Sequence, residues 1–306
     1  MSLAFAVTTD FSEASGQAFA TAAALARRFD ASLYLIHAVQ GAGIHTPWRT
    51  ETVSRKDLED RQQELQAKLE DFAEDEPAFE GLDVKAKALL GSETAEAVQR
   101  FQEAAEIDLI VVSSHGHTGI QHFLLGSFAG KILQLSSCPV LICRAAERAA
   151  ETFNPKRILA PHDFSRPSTF ALQVAHSWAQ RFDAATRLLF VAEETVEAYK
   201  YPTGTTDSVA EFFEWVRAEG TDALQQLIQR DWKDLAAEAV ARIGHPAVEI
   251  LSEANDFRAD LIVMASRGLS LFERLHVGSV AERVVERASC PVLVVKRKEN
   301  GGGLLG

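Results

Sequence analysis

The sequence predicts an α/β protein of two tandem doubly wound domains, each with a five-stranded parallel sheet flanked by helices. Apolar runs of strand length alternate with amphipathic helical segments, which is typical of β-α-β units. The pattern then occurs a second time, because Asp163 follows Asp10 by 153 positions and Gly268 follows Gly116 by 152. A nearly constant offset over half the chain indicates a duplicated domain.

Composition limits the class of protein. The 306 residues fit two domains of ordinary size, and 47% hydrophobic with 24% charged residues is typical of a globular protein with a sizeable core. The net charge of −12 gives no electrostatic footprint for nucleic acid or an anionic membrane surface. No apolar run approaches the roughly 20 residues that span a bilayer. Without a secretory leader or a CxxC pair, we expect a cytoplasmic protein.

The first domain is expected over residues 1–145. A helix is predicted from periodic apolar residues at 18–26, a second at 55–72, and a third from the N-cap Ser92 to about residue 105. Residues 40–50 contain two glycines and a proline and are predicted to be an irregular loop. The apolar runs predict strands at 3–7, 32–39, 84–90, 109–112 and 140–143.

The second domain is expected over residues 157–297, after a charged linker at 146–156 that ends in Asn-Pro. The glycine-rich tail 298–306 is predicted to be disordered. An amphipathic helix is predicted at 220–229, and strands at 157–160, 186–192, 237–243, 261–264 and 291–296. The segment 193–215 differs most from its counterpart, and we expect its aromatic residues either to pack internally or to cover a site or interface: Tyr199, Tyr201, Phe212, Phe213 and Trp215.

Two equivalent turns carry the strongest functional signal. Each follows the fourth strand of its domain and leads through glycine into a Gly-Ser helix start, at Gly126-Ser127 and at Gly278-Ser279. The first N–H groups of a helix have no partner within it and attract anions, and glycine lets a phosphate approach the backbone. The alternative is that the glycines shape a tight turn and the serines cap a helix, with nothing bound.

An aspartate follows the first strand of each domain, at Asp10 and Asp163. In open α/β sheets a ligand binds where the strand order reverses, so each aspartate should lie near its glycine turn if strands one and four are neighbours. The alternative is that each aspartate only orients its turn, with Ser12 or Ser165 as the helix N-cap.

Other motifs fail on spacing. The run from Gly126 to Lys131 resembles a P-loop, but it has three intervening residues instead of four and Ile132 after the lysine. His115 and His117 lack a third ligand at metal spacing, so no metal site is predicted. No nucleophile with an activating base is found, so no catalytic residue is assigned and we do not expect an enzyme.

Both halves resemble the universal stress protein family, whose nucleotide-binding members carry Gly-x-x-Gly, nine residues, then Gly-Ser or Gly-Thr. The first half reads Ser113-x-x-Gly116, nine residues, Gly126-Ser127; the second reads Ala265-x-x-Gly268, nine residues, Gly278-Ser279. The resemblance covers essentially residues 1–297 and includes the strand-one aspartates and the Cys-Pro-Val before strand five. Ser113 and Ala265 replace a glycine, and if that position needs positive φ each costs on the order of 1 kcal/mol.

The resemblance implies Rossmann-like domains that bind ATP or a related adenine nucleotide, with or without magnesium. In such domains the strand-one aspartate contacts the adenine or ribose, the residue closing strand two flanks the base, and the glycine turn with its serine holds the phosphates. Carried over to this chain, the first-domain candidates are Asp10, Val39, Ser113, Gly116, Gly126 and Ser127, and those of the second domain are Asp163, Ala192, Ala265, Gly268, Gly278 and Ser279. Arg267 is a further candidate because its guanidinium can pair with phosphate.

We therefore expect an adenine-nucleotide-binding stress or regulatory protein. The alternatives are a structural or interaction module of the same fold with blocked pockets, and a slow ATPase. The two domains are expected to form an internal pseudo-dimer through their fifth strands at 140–144 and 292–296, which would leave no free strand edge there. Which site is occupied, and whether two chains form a homodimer, stay open.

Overall fold

The computed structural model describes residues 2–40, 43–46, 49–52, 55–114, 125–144, 153–193, 209–268 and 277–296, and the structural statements below concern these residues. The chain divides into two compact units, here called unit 1 and unit 2, with the division between Phe153 and Asn154. The predicted tail at 298–306 and most of the predicted linker lie outside the described residues.

The secondary structure of unit 1 alternates strand and helix. Its elements are β1 (Ala4–Thr8), α1 (Glu13–Phe29), β2 (Ser32–Gln40), β3 (Gly43–Thr46), β4 (Arg49–Thr52), α2 (Arg55–Asp75), a 3₁₀ turn (Pro77–Phe79), β5 (Val84–Gly91), α3 (Thr94–Ala104), β6 (Leu109–Ser113), α4 (Ser127–Leu135) and β7 (Val140–Cys143). Except for the β3–β4 pair, the order is that of a β-α-β protein.

Unit 2 repeats this order. Its elements are β8 (Arg157–Pro161), α5 (Arg166–Phe182), β9 (Ala185–Ala192), α6 (Val209–Asp231), β10 (Ala237–Ile243), α7 (Pro246–Phe257), β11 (Leu261–Ala265), α8 (Ser279–Arg287) and β12 (Val292–Val295). The helix predicted at 220–229 is longer than its apolar pattern indicated, since α6 begins at Val209. Trp215 in this helix is 54% exposed, whereas Tyr199 and Tyr201 lie outside the described residues.

Each unit contains a five-stranded parallel sheet. The strand order is β5-β2-β1-β6-β7 in unit 1 and β10-β9-β8-β11-β12 in unit 2. The chain winds in one direction from the first strand and then in the other, so the order reverses between β1 and β6 and between β8 and β11. The predicted fold class is confirmed, and strands one and four of each unit are neighbours.

Burial on both faces explains why these runs form strands. Every residue of β6 and of β11 is buried, as expected for the centre of a parallel sheet covered by helices. Ser12 is the N-cap of helix α1, and its hydroxyl accepts a hydrogen bond from the Ser15 N–H; the C-cap is Asp30, in the left-handed region. Helix α5 of unit 2 has the same N-cap and C-cap geometry, so the duplication extends to the helix ends.

The prediction of an irregular loop over residues 40–50 was wrong. Residues Gly43–Thr46 and Arg49–Thr52 form an antiparallel pair in which Gly43 lies opposite Thr52. The segment contains Ile44 and several threonines, and β-branched side chains favour extended backbone. Gly43 is the first residue of one of these strands, so the glycine content of the segment did not identify it as a loop.

The outer strand of the unit 1 sheet, β5, is covered by glutamines from α2. The Gln66 side chain donates to the Ala86 carbonyl at 2.9 Å and accepts from the Ala88 N–H at 2.9 Å. Gln62 donates to the Ala88 carbonyl at 3.3 Å. These amides take the place of a neighbouring strand, which blocks addition of another chain at this edge.

The described part of the chain contains no helix that is both long enough and apolar enough to cross a membrane.

Candidate functional site

The turn after β8 holds Asp163 at the carboxyl edge of the unit 2 sheet, where the strand order reverses. The Asp163 Oδ1 atom accepts a hydrogen bond from the Ser165 N–H at 3.1 Å, and Ser165 is the N-cap of α5. Phe164, between them, has a φ of 61°, which directs the chain from the strand into the helix. The alternative role for this aspartate, orienting the turn, is therefore supported by the hydrogen bond to Oδ1.

The second oxygen of Asp163 faces the glycine turn. A methyl group built on Gly268 would lie 2.3 Å from Asp163 Oδ2, well inside van der Waals contact. The strand-one aspartate and the strand-four glycine are thus in contact, as the strand order requires. Any larger residue at position 268 would force the carboxylate to move.

The helix that follows the glycine turn starts at a glycine N-cap. The Gly278 N–H donates to the Ser266 carbonyl at 2.8 Å, and Gly278 has a φ of −67°. Ser279 is the first residue of α8 and is exposed, and no side chain caps the helix. The alternative in which the serine caps this helix was therefore wrong, since the cap position falls one residue earlier.

Unit 1 has the same geometry wherever it is described. Asp10 Oδ1 accepts from the Ser12 N–H at 3.0 Å and from the Ser12 hydroxyl at 2.5 Å, and Phe11 has a φ of 61°. The Gly126 N–H donates to the Ser114 carbonyl at 2.8 Å, and Gly126 is the uncapped N-cap of α4, with Ser127 as its first residue. Gly116 lies outside the described residues, as do His115 and His117.

Ionisation states at this edge follow from the local contacts. Burial raises the pKa of Asp163, but hydrogen bonds from Ser165 and Ser168 lower it by more, so the pKa falls below its ordinary value of 3.8. Burial lowers the pKa of the adjacent His162 from 6.5, although the Asp163 charge opposes this. At neutral pH the site therefore presents a carboxylate beside a neutral imidazole.

The family model of the universal stress protein family matches residues 3–144 and, a second time, residues 154–296. The chain belongs to the universal stress protein family. A universal stress protein of Methanocaldococcus jannaschii is 36% identical over 148 residues, which cover 46% of this chain and 82% of that protein. One from Bacillus subtilis is 32% identical over 145 residues, covering 46% of this chain and 98% of the relative. Relatives of single-domain length thus match about half of this tandem protein.

Solved structures agree on the fold. The crystal structure of a universal stress protein from Archaeoglobus fulgidus DSM 4304 has a TM-score of 0.66 with 18% sequence identity, and the match covers 97% of each chain. At this identity the likeness shows the fold alone. Two universal stress protein domains in one chain therefore account for the repeated strand order.

Ser113 and Ala265, which replace the first glycine of the family motif, impose no backbone strain. They are the last residues of β6 and β11, and neither is among the described residues with positive φ. The expected cost of about 1 kcal/mol therefore does not arise, because it depended on a left-handed backbone at these positions. Both side chains are buried, with exposed fractions of 7% and 8%.

The remaining candidates lie at the same edge of each universal stress protein domain. Val39 is the penultimate residue of β2 and Ala192 is the last residue of β9, and both are half-buried. Arg267 stands between Ser266 and Gly268 in the turn after β11 and is half-buried.

Two residues of the site were not singled out from the sequence. Phe164 is 44% exposed beside Asp163, and its ring contacts His162 with centroids 4.9 Å apart. The available signal was the Asp-Phe-Ser triplet that occurs in both halves, which was assigned to the aspartate and the serine alone. The positive φ at the phenylalanine could not be inferred, because non-glycine residues rarely adopt it.

The cysteines are buried, and the described residues contain no cluster of metal ligands. Cys138, Cys143 and Cys290 are all buried, and burial raises the pKa of the Cys143 thiol to about 12. Among the described ranges, no group of three His, Cys, Asp or Glu side chains is placed to hold a metal ion.

Proposed function

We propose that each universal stress protein domain binds an adenine nucleotide, with ATP as the reference ligand, and that the protein is a nucleotide-dependent stress-response or regulatory protein. The observation that carries the proposal is the contact between Asp163 and Gly268 at the sheet edge from which α8 starts. A carboxylate and an uncapped helix N-terminus at one edge suit a ligand with two chemically different ends.

The charges decide how the ligand is oriented. The Asp163 carboxylate repels phosphate and accepts hydrogen bonds, so it suits ribose hydroxyls or the amino group of a base. The N-terminus of α8 donates N–H groups and carries partial positive charge, so it suits phosphate. A nucleotide has hydrogen-bond donors at one end and negative charge at the other. Unit 1 offers the equivalent groups at Asp10 and α4.

The remaining candidate residues would contact the base and the phosphates of a nucleotide bound in this orientation. Val39 and Ala192 would flank the base, Ser127 and Ser279 would add hydroxyl donors beside the phosphates, and Arg267 would add positive charge in unit 2. Gly116 would line the turn in unit 1 as Gly268 does in unit 2. We assign these residues to binding alone.

Isothermal titration calorimetry of the full chain with ATP, with and without magnesium, tests the proposal. Gly126→Asp and Gly278→Asp each place a carboxylate at a helix N-cap whose φ, −56° or −67°, accepts any residue. Aspartate is a good N-cap, so folding should be kept while phosphate is repelled at that site. Each variant should therefore remove one of two sites.

The isosteric controls are Gly126→Asn and Gly278→Asn, which cap the helix without adding charge. They should lose much less affinity than the aspartate variants. Equal affinity in the asparagine and aspartate variants would show that phosphate does not bind at these helices. A silent titration of nucleotide-free protein would leave the interaction module as the function, and phosphate release from ATP would indicate the slow ATPase.

We also propose, from the sequence, that the two domains form an internal pair through residues 140–144 and 292–296 and that the protein is cytoplasmic. Amide hydrogen exchange tests the pairing, because strand amides that lack a neighbour exchange quickly. Slow exchange along 140–144 in the full chain is the expected result, and fast exchange of alternate amides would contradict it. Sedimentation of the full chain would show whether a homodimer also forms.

A further inference from the structure

We infer that the Phe164 ring is the surface on which unit 2 stacks the base of its nucleotide, which makes unit 2 the site whose affinity depends more strongly on a base. This inference rests on the proposed function and adds a residue that contacts the base. It follows from three observations: the exposure of Phe164, the support beneath its ring, and the different surroundings of the equivalent residue in unit 1.

Phe164 is a large apolar side chain left open at the site. It follows Asp163 directly and is 44% exposed, although its neighbours Ser165 and His162 are buried. Its φ of 61° is a conformation that costs a phenylalanine free energy. The turn therefore holds an aromatic ring partly in solvent beside the carboxylate that faces Gly268.

The ring is supported from the strand that flanks the base in this family. Phe164 contacts Phe190 of β9 with ring centroids 5.2 Å apart. The Phe190 ring itself packs closely against Gly220 of α6, since a methyl group built on Gly220 would lie 2.5 Å from the Phe190 Cδ1 atom. Phe190 and Ala192 are two residues apart in one strand and share a face of the sheet. Phe164 thus packs on a residue that shares its face of the sheet with the candidate base contact Ala192.

The equivalent ring in unit 1 is less exposed and contacts more side chains. Phe11 has the same φ of 61°, but its ring contacts His37 at 4.5 Å and Phe72 at 5.3 Å between centroids. The Lys68 ammonium also lies 4.4 Å from the Phe11 centroid. Within the described residues, the ring contacts of Phe164 are those with His162 and Phe190. An ammonium group therefore already lies over the Phe11 ring, whereas part of the Phe164 ring is open.

Stacking on an aromatic side chain is an interaction that purine bases make and phosphate does not. Loss of one aromatic–base stack typically weakens binding by about five- to 150-fold. Removal of the Phe164 ring should therefore weaken binding of ATP at unit 2 without affecting a ligand that has only phosphate. Inorganic tripolyphosphate is such a ligand.

The test uses the full chain carrying Gly126→Asp, so that unit 2 alone binds. Calorimetry compares ATP and sodium tripolyphosphate on this background, with and without Phe164→Leu. We expect Phe164→Leu to weaken ATP about five- to 150-fold and to leave tripolyphosphate within about twofold. Phe164→Tyr, which keeps an aromatic face, should bind ATP like the background. Phe11→Leu in the Gly278→Asp background should leave ATP binding at unit 1 within about twofold.

The outcomes separate the inference from the proposed function. If ATP binds equally with phenylalanine or leucine at position 164, the stacking role is wrong while nucleotide binding stands. If Phe164→Leu weakens ATP and tripolyphosphate alike, the ring only supports the turn, which also overturns the inference. If the Gly126→Asp chain binds neither ligand, the proposed site in unit 2 and this inference both fail.

Discussion

Gly268 and Asp163 are in contact in unit 2, and a methyl group on Gly268 would lie 2.3 Å from the carboxylate Oδ2. The backbone of Gly268 is not in the left-handed region, so alanine is allowed there apart from this contact. We predict that Gly268→Ala displaces the Asp163 side chain and weakens ATP binding at unit 2 by about tenfold or more, the equivalent of roughly 1.4 kcal/mol. Calorimetry on the Gly126→Asp background measures the change.

A double-mutant cycle checks the cause of that loss. If the methyl group acts by moving the carboxylate, Gly268→Ala should have little further effect on ATP affinity once Asp163→Ala is present. Losses that simply add would contradict this explanation. They would indicate that the methyl group blocks the ligand itself.

The buried His162 should make the stability of unit 2 depend on pH. Burial lowers its pKa from 6.5, and its Nδ1 atom has no hydrogen-bond partner among the described residues. The unfolded chain therefore binds the proton more readily, so the stabilisation is complete above pH 6.5 and is lost as pH falls through the lower folded pKa. We predict that the unfolding free energy decreases from pH 7.5 to pH 5.

The matched variant is His162→Thr, which installs the residue of unit 1. Thr9 occupies the equivalent position, where its hydroxyl accepts from the Phe11 N–H at 2.9 Å and contacts the Ser15 hydroxyl at 3.1 Å. The variant should flatten this part of the pH profile. Urea unfolding followed by tryptophan fluorescence is suitable, because Trp178 and Trp232 are buried in unit 2. A slope that is equally steep without His162 would show that another group titrates.

A buried ion cluster in unit 2 provides a further prediction. Glu253 is 2% exposed and accepts from Arg187 Nη1 at 2.7 Å and from Arg242 Nε at 2.5 Å. Glu253→Gln would leave two partly buried guanidinium groups without their shared carboxylate. We expect it to lower the unfolding free energy by about 1.5–3 kcal/mol, the usual value of a hydrogen bond to a charged group, because Arg187 keeps Glu238 and Arg242 keeps Asp256 as ion-pair partners. Urea titration at neutral pH measures it.

Unit 1 supplies the control for that experiment. At the equivalent place it packs Tyr34 against Phe101 with ring centroids 5.5 Å apart, and Lys85 Nζ lies 5.3 Å from the Tyr34 centroid. We expect most of the stability to return when unit 2 receives the unit 1 residues together, because apolar packing can replace a buried ion cluster. The set is Arg187→Tyr, Glu238→Lys, Arg242→Leu and Glu253→Phe. A combined variant less stable than Glu253→Gln would contradict this.

Some contacts at the site could be predicted from the sequence and others could not. The proximity of Asp163 to the glycine turn was predictable, because parallel strands with β-α-β connections place the ends of strands one and four together. The exposure of the Phe164 ring was not predictable, since Asp-Phe-Ser occurs in both units. The difference is that the Phe11 ring contacts Phe72 and Lys68 of α2. Burial of an aromatic ring by another helix depends on tertiary contacts, which leave no pattern in the local sequence.

The buried ion cluster was likewise not predictable from the local sequence, and the helix N-caps were predictable only in part. Arg187, Arg242 and Glu253 lie on three different elements, and single-sequence periodicity does not show that they meet. The helix starts at Gly126 and Gly278 were predicted within one residue, while the alternative in which serine is the cap was wrong, although serine is a stronger N-cap former than glycine. The extended backbone at Ser113 and Ala265 is explained by their positions as the last residues of β6 and β11.

The last prediction concerns the outer strand β5. Gln66→Ala removes the donor to the Ala86 carbonyl and the acceptor for the Ala88 N–H, both at 2.9 Å. Two hydrogen bonds to a strand are worth about 1–3 kcal/mol in total, and the uncovered edge becomes available to another chain. We therefore expect a lower unfolding free energy and more aggregation on mild heating, measured by urea titration and light scattering. Gln63→Ala, on the exposed face of the same helix, is the matched control and should change neither quantity. Equal behaviour of the two variants would show that Gln66 does not protect the strand.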